Sequence, residues 1–210
     1  MLIESVPDAE ELREHWWWRP GWRPDTRMLA WHLTFEGESS LHGLARRLQG
    51  ALAGVDVLDP VPPEWLHLSV AEFGATDDFT DDCVRQAINA AHECISGLGT
   101  LELTFTRVVV FAESVVVLPA KSPALASLRR GLRDSVVQVR GPGAPPDSTP
   151  FAPHVSVAYA HGPAPGAAVV RALQEAAPAD VGPVRPTLTL AETHRVGRQY
   201  QWRAVSAFPL

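Results

Sequence analysis

From Met28 onward, apolar runs that read as strands alternate with stretches of helical period. The pattern predicts strands over Met28–Phe35, Trp65–Glu72, Leu101–Phe111, Ser114–Pro119, His154–Tyr159, Pro186–Arg195 and Tyr200–Phe208. It predicts helices over Ser39–Gly54, Thr80–Ser96, Ser122–Val139 and Pro165–Ala176. Ser39 or Ser40 and Thr80 or Asp81 offer side-chain oxygens as N-caps, and Gly97 follows a helix end. Gly141–Pro153 reads as a Gly/Pro-rich loop, and Val196–Gln199, with Gly197, as the turn joining the last two strands.

The two halves match element by element. First strands begin near 28 and 114, first helices near 39 and 122, middle strands at 67 and 154, and last strands near 101 and 187, offsets of about 86, 83, 87 and 86. A constant offset in one β-α-β-α-β order is the mark of an internal duplication. The expected fold is α+β: bilobal, with duplicated lobes of roughly 28–111 and 114–210, antiparallel sheets facing a central cleft, and terminal strands free to exchange between lobes. Residues 1–27 form a Trp-rich arm ahead of the 28–210 domain.

The two middle strands carry the same tetrapeptide, His67-Leu68-Ser69-Val70 and His154-Val155-Ser156-Val157. Side chains at i and i+2 share one face of a strand, so each copy presents an imidazole beside a hydroxyl. If the copies face each other, two imidazoles and two hydroxyls surround one anion-sized space. That is equipment for acid/base cleavage of a phosphodiester. His32-Leu33-Thr34 repeats the pattern, but its counterpart strand, from Ser114, has no histidine. His32 therefore stands outside the symmetric set, as a substrate contact or as a strand histidine bonded to backbone.

Composition narrows the ligand. With 210 residues, 46% apolar, the chain can bury one large domain or two small lobes. A net charge of −6 argues against long duplex nucleic acid, which needs clustered Lys and Arg. A nucleotide or a short RNA end needs only a local patch. Cys83 and Cys94 lie on one helix, about 16 Å apart at 1.5 Å per residue, too far to bridge, and are expected to be buried thiols. The N-terminus lacks an apolar signal region and no stretch is long enough to span a membrane, so the reading is a cytoplasmic monomer.

The paired motifs and the duplicated halves around them resemble the 2H phosphoesterase superfamily, specifically its 2'-5' RNA ligase-like and cyclic phosphodiesterase branch. The resemblance covers roughly Met28 to Leu210. It implies metal-free chemistry, with no cofactor, on a 2',3'-cyclic phosphate or a 2'-5' linkage. His67 and His154 would be the acid/base pair, with Ser69 and Ser156 donating to the non-bridging phosphate oxygens. The partner implied is a nucleotide or short RNA end bearing a cyclic or 2'-5' phosphate. A binding module without turnover, or ligation in the reverse direction, stays open as an alternative.

Beyond the motifs, Trp16, Trp17, Trp18 and Trp22 are interleaved with Arg19 and Arg23. They either stack a base or cover an apolar edge of the first lobe. Trp18, Trp22, Arg198 and Tyr200 are candidate substrate contacts. His194 and Arg195 are candidates to read a second phosphate. Tyr159, five residues after His154, is expected on the opposite face of a regular strand, in the core. A zinc site is the rival chemistry, but only Glu72 places a carboxylate near a motif. His15, His42, His92 and His161 read as surface or loop residues.

Overall fold

The computed structural model describes residues 1–147, 150–176 and 178–210; the expected loop Gly141–Pro153 therefore falls in part outside the described residues. Four strands form one antiparallel sheet, in the spatial order β10 (Tyr200–Pro209), β9 (Thr187–Arg195), β2 (Met28–Thr34) and β4 (His67–Ala75). The second sheet has the order β1 (Leu2–Ser5), β5 (Leu103–Phe111), β6 (Ser114–Pro119), β7 (Val155–Ala160) and β3 (Leu58–Pro60). A further strand, β8 (Val181–Val184), also pairs with β5. β1 runs parallel to β5, whereas the other pairings are antiparallel. The short strands β1, β3 and β8 lie outside the sequence expectation, because three or four residues carry too little alternation to read.

The halves interlock. β9, the last strand of the second half in the duplication, pairs with β2 of the first half, and β5 of the first half pairs with β6 of the second. Each half alone would leave one edge of its two-stranded pair open, and the other half's final strand covers it. The helices exchange as well. α1 (Ser39–Ala51) and α4 (Gly166–Glu175) lie against the second sheet, while α2 (Asp81–Ser96) packs on α3 (Pro123–Arg140), which lies against β4. So the first helix of each half sits on the sheet holding the other half's motif.

Thr80 and Ser122 cap α2 and α3, accepting from the backbone N–H of Cys83 and Leu125 at 3.4 and 3.2 Å. Neither Ser39 nor Ser40 caps α1; Glu38 occupies its N-cap without a side-chain bond to the helix, its carboxylate accepting instead from the Arg185 N–H at 3.1 Å, and both serines are helical. Cys83 and Cys94 are free and half-buried on α2, not fully buried as expected. Among the described residues no helix is long and apolar enough to cross a membrane.

On β2, Leu29, Trp31 and Leu33 are buried in a continuous core with Leu68, Val70 and Phe73 of β4. Truncating a fully buried side chain of this kind costs about 2–5 kcal/mol. The alternate β2 residues Met28, Ala30 and His32 line a cavity. Alternation on one strand thus fixes core and cleft together.

Candidate active site

Both motif strands are bulged at the same place. On β4, Ser69 pairs with His32 and Ala71 with Trp31, so Val70 is an extra residue; on β7, Ser156 pairs with Val116 and Ala158 with Val115, so Val157 is extra. One added residue turns the side chains that follow it to the other face, until a second bulge, as at Phe73 on β4, turns them back. Glu72 and Tyr159, each five residues past its histidine, therefore face the cleft alongside His67, Ser69, His154 and Ser156. This corrects the expectation that Tyr159 belongs to the core. A helix donor holds each bulge. Gln49 Nε2 on α1 donates to the carbonyls of Val157 at 2.9 Å and Val61 at 2.7 Å. Arg129 on α3 donates to the Val70 carbonyl, pairs with Asp147, and lies 4.4 Å over the Phe151 ring.

The two imidazoles are held alike. His67 Nδ1 lies 2.8 Å from the Trp65 carbonyl and His154 Nδ1 lies 2.7 Å from the Ala152 carbonyl. A carbonyl oxygen only accepts, so Nδ1 carries the proton in each ring and Nε2 is left for the cleft. His154 stands one residue before β7 rather than on it. Burial lowers the pKa of His67, and the charge of His154 lowers it further against the opposing backbone bond. Burial likewise lowers His154. The His32 ring lies 4.5 Å from that of His67, and burial followed by the His67 charge holds it well below its ordinary value. A neutral His32 can therefore neighbour His67 without repelling it.

A cavity of about 350 Å³ is lined by His67, Ser69, His32, Glu72, Trp22, Tyr200 and Tyr159, among others. A second, of about 510 Å³, is lined by His154, Ser156, Ser114, Phe111, Arg13 and Tyr159. Tyr159 borders both. Its phenol is pushed up to about 12, chiefly by burial, so it stays protonated. Among the described residues no group of three or more His, Cys, Asp or Glu side chains is placed to hold a metal ion.

The arm runs between the lobes instead of along the edge of the first. Its Leu12, Arg13 and His15 N–H groups donate to the Ala164, Ala112 and Ala160 carbonyls of the second-sheet side at 2.8, 2.6 and 2.8 Å. His15 is not a surface residue. It stacks on Tyr159 with centroids 4.2 Å apart, and its two nitrogens face Glu113 at 3.2 Å and the Tyr200 hydroxyl at 3.1 Å. Burial first, and then Arg19, push it down to about 4. Neutral His15 donates from Nδ1 to Glu113 and accepts from Tyr200, tying the two sheets together. Trp16 is 3% exposed and donates to Asp59 at 3.0 Å.

The remaining candidates divide. Trp22, Tyr200 and His32 line the His67 cavity. Trp18 is 46% exposed and lies under the Arg195 guanidinium at 4.3 Å. Arg198 precedes β10 and is paired with Asp59 at 3.0 Å. Glu72, Tyr159, His15, Gln49 and Arg129 emerge as site residues only with the fold. For Glu72 and Tyr159 one sequence signal existed: they share the offset of 87 between the two motifs.

Among curated proteins none matches the chain significantly. Solved structures do. TT0787 of Thermus thermophilus superposes with a TM-score of 0.63 at 18% identity, over 87% of this chain and 97% of that one. E. coli LigT complexed with 3'-AMP superposes with a TM-score of 0.61 at 16% identity, over 89% and 99%. LigT complexed with NADP+ gives 0.58 at 14%, again over 89% and 99%. At these identities the likeness speaks for the fold. The model of the 2'-5' RNA ligase superfamily matches residues 31–195, spanning both motifs and the strands that interlock the two halves, and the chain belongs to that family of 2H phosphoesterases.

Proposed function

We propose that this phosphoesterase-type protein opens a 2',3'-cyclic phosphate, or cleaves a 2'-5' phosphodiester, on a nucleotide or short RNA end, without a metal. The observation that carries the reading is the matched pair of imidazoles, each anchored through Nδ1 to the carbonyl two residues before it and each offering Nε2. Hydrolysis of a cyclic diester needs a base to take a proton from water and an acid to protonate the leaving ribose oxygen on the far side. One neutral and one protonated imidazole supply both. Ser69 lines the His67 cavity and Ser156 the His154 cavity, with Tyr159 bordering both, and the two hydroxyls would donate to the non-bridging oxygens as charge builds there. Trp22 and Tyr200 offer aromatic faces for the base.

A panel of 2',3'-cyclic nucleotides and 2'-5' dinucleotides, incubated with the protein with and without EDTA, tests this. Turnover that persists in chelator is the expected result. Turnover abolished by EDTA defeats the metal-free mechanism. Micromolar binding of panel members with no turnover would instead identify a nucleotide-binding module.

A further inference from the structure

Glu72 has no place in the chemistry above. Yet the bulge at Val70 turns it into the His67 cavity, in the position that Tyr159 occupies past His154. Its side chain is exposed to that space, and among the described residues no hydrogen bond or ion pair engages it. A carboxylate only accepts hydrogen bonds and repels phosphate, so this end of the cavity suits a neutral ligand edge rich in N–H groups. Glu72 therefore faces the nucleoside and not a second phosphate.

Position narrows the ligand further. Ser69 and Glu72 are two ladder positions apart once the extra residue is discounted, about 7 Å at 3.3–3.4 Å per position. With the phosphate at His67 and Ser69, that spacing reaches along the ribose to the base. Trp22 and Tyr200, packed edge-to-face with ring centroids 6.3 Å apart, line the same cavity and supply aromatic surface for the base. A carboxylate has two oxygens able to accept two parallel N–H bonds. Guanine alone among the four RNA bases offers two adjacent donors, N1–H and N2–H, on its Watson–Crick edge. Adenine and cytosine place an acceptor nitrogen beside their amine, and uracil sets carbonyls on both sides of its single N–H. Each would direct an acceptor at one carboxylate oxygen.

On the reading of the site as a nucleotide phosphoesterase, we infer that Glu72 makes the cavity beside His67 a guanine-selective base pocket, so the preferred substrate carries its reactive phosphate on a guanosine.

The test uses the full chain and reads binding as well as turnover. Titration calorimetry with the 2'- and 3'-monophosphates of guanosine, adenosine, cytidine and uridine should give at least about tenfold tighter binding for a guanosine ligand, the discrimination expected of one bidentate contact. Glu72→Gln, which replaces one acceptor with a donor, should remove that preference, while the other three nucleotides and inorganic phosphate bind no more weakly than before, because the repulsion of phosphate is relieved. Glu72→Asp retains the charge but withdraws it by one methylene, and should weaken guanosine binding selectively. Equal affinity for all four bases overturns the inference. So does a guanine preference that survives Glu72→Gln, or an equal loss for all four, which would assign the carboxylate to the ribose. Guanine-selective binding without turnover of any cyclic nucleotide would retain this pocket and reject the phosphoesterase reading, and turnover without base preference would do the reverse.

Discussion

Gln49 on α1 donates to the carbonyl of Val157, the extra residue of β7, at 2.9 Å, and so holds open the bulge that turns Tyr159 toward the cleft. The helix belongs to the first half of the chain and the strand to the second. Arg129 on α3 does the same for Val70 on β4, in the opposite sense. Each half thereby shapes the other's motif. Gln49→Leu should leave the Val61 carbonyl without its side-chain donor and the Val157 carbonyl with only the Val61 N–H, at 3.0 Å, costing about 1–3 kcal/mol. Urea unfolding measures that cost. If the bulge is what presents Tyr159, the fall in kcat produced by Gln49→Leu should largely disappear in a Tyr159→Phe background, and additive effects in that double-mutant cycle would contradict it.

His67→Ala and His154→Ala should each lower kcat by about 10²–10⁴, the usual share of one general acid or base. The double variant should lose little more, because the two act on one proton-transfer sequence. Steady-state kinetics on a turned-over cyclic nucleotide decides it. A wild-type rate in either single variant rejects the two-histidine mechanism.

The pH profile follows from the lowered imidazoles. With one ring neutral and one protonated required, kcat/KM should peak between the two apparent pKa values of the pair. Both histidines are pushed below 6.5, so the optimum should lie on the acid side of pH 6.5. A kcat/KM profile that peaks above pH 7 would contradict this assignment.

Stability should respond to the same kind of group. A histidine whose folded pKa is depressed binds its proton in the unfolded chain first, so stability is present above about 6.5 and is lost as pH falls toward the folded value. His15, held at about 4, should contribute a loss of up to about 1.4 kcal/mol per pH unit between those limits. Urea melts from pH 7 to pH 4 should be flatter for His15→Gln than for the wild type. Equal slopes would mean that His15 titrates normally.

The arm's tryptophans should separate by role. Trp16→Ala removes a ring that is 3% exposed and bonded to Asp59, and should cost about 3–5 kcal/mol of stability. Trp22→Ala, at the cavity wall, should raise KM by a factor equivalent to about 1–3 kcal/mol of stacking while folding stays intact. Thermal melts and KM measured on both variants distinguish the two.

The order of the main strands and helices, the duplication, and the His67/Ser69 and His154/Ser156 pairs were legible along the chain, because they rest on local periodicity and on a repeat read along one line. The apolar alternation of Trp31 and Leu33 was equally legible, since a strand's two faces need no partner to be told apart. Where the chain pairs with itself was not. The sequence reading left the terminal strands free to exchange between lobes, but that β5 and β9 are the strands exchanged, and that α1 and α3 dock on the opposite sheets, depends on contacts far apart in sequence, which no local pattern encodes. The bulges at Val70 and Val157 are set by register against β2 and β6 and by Gln49 and Arg129 from distant helices. A regular strand would send Glu72 and Tyr159 away from the cleft, and one added residue reverses that. His15 read as a loop residue because its neighbours Glu113, Tyr159 and Tyr200 come from other elements. Their burial against one another, and not anything in the local sequence, makes that imidazole neutral and places it between the two lobes.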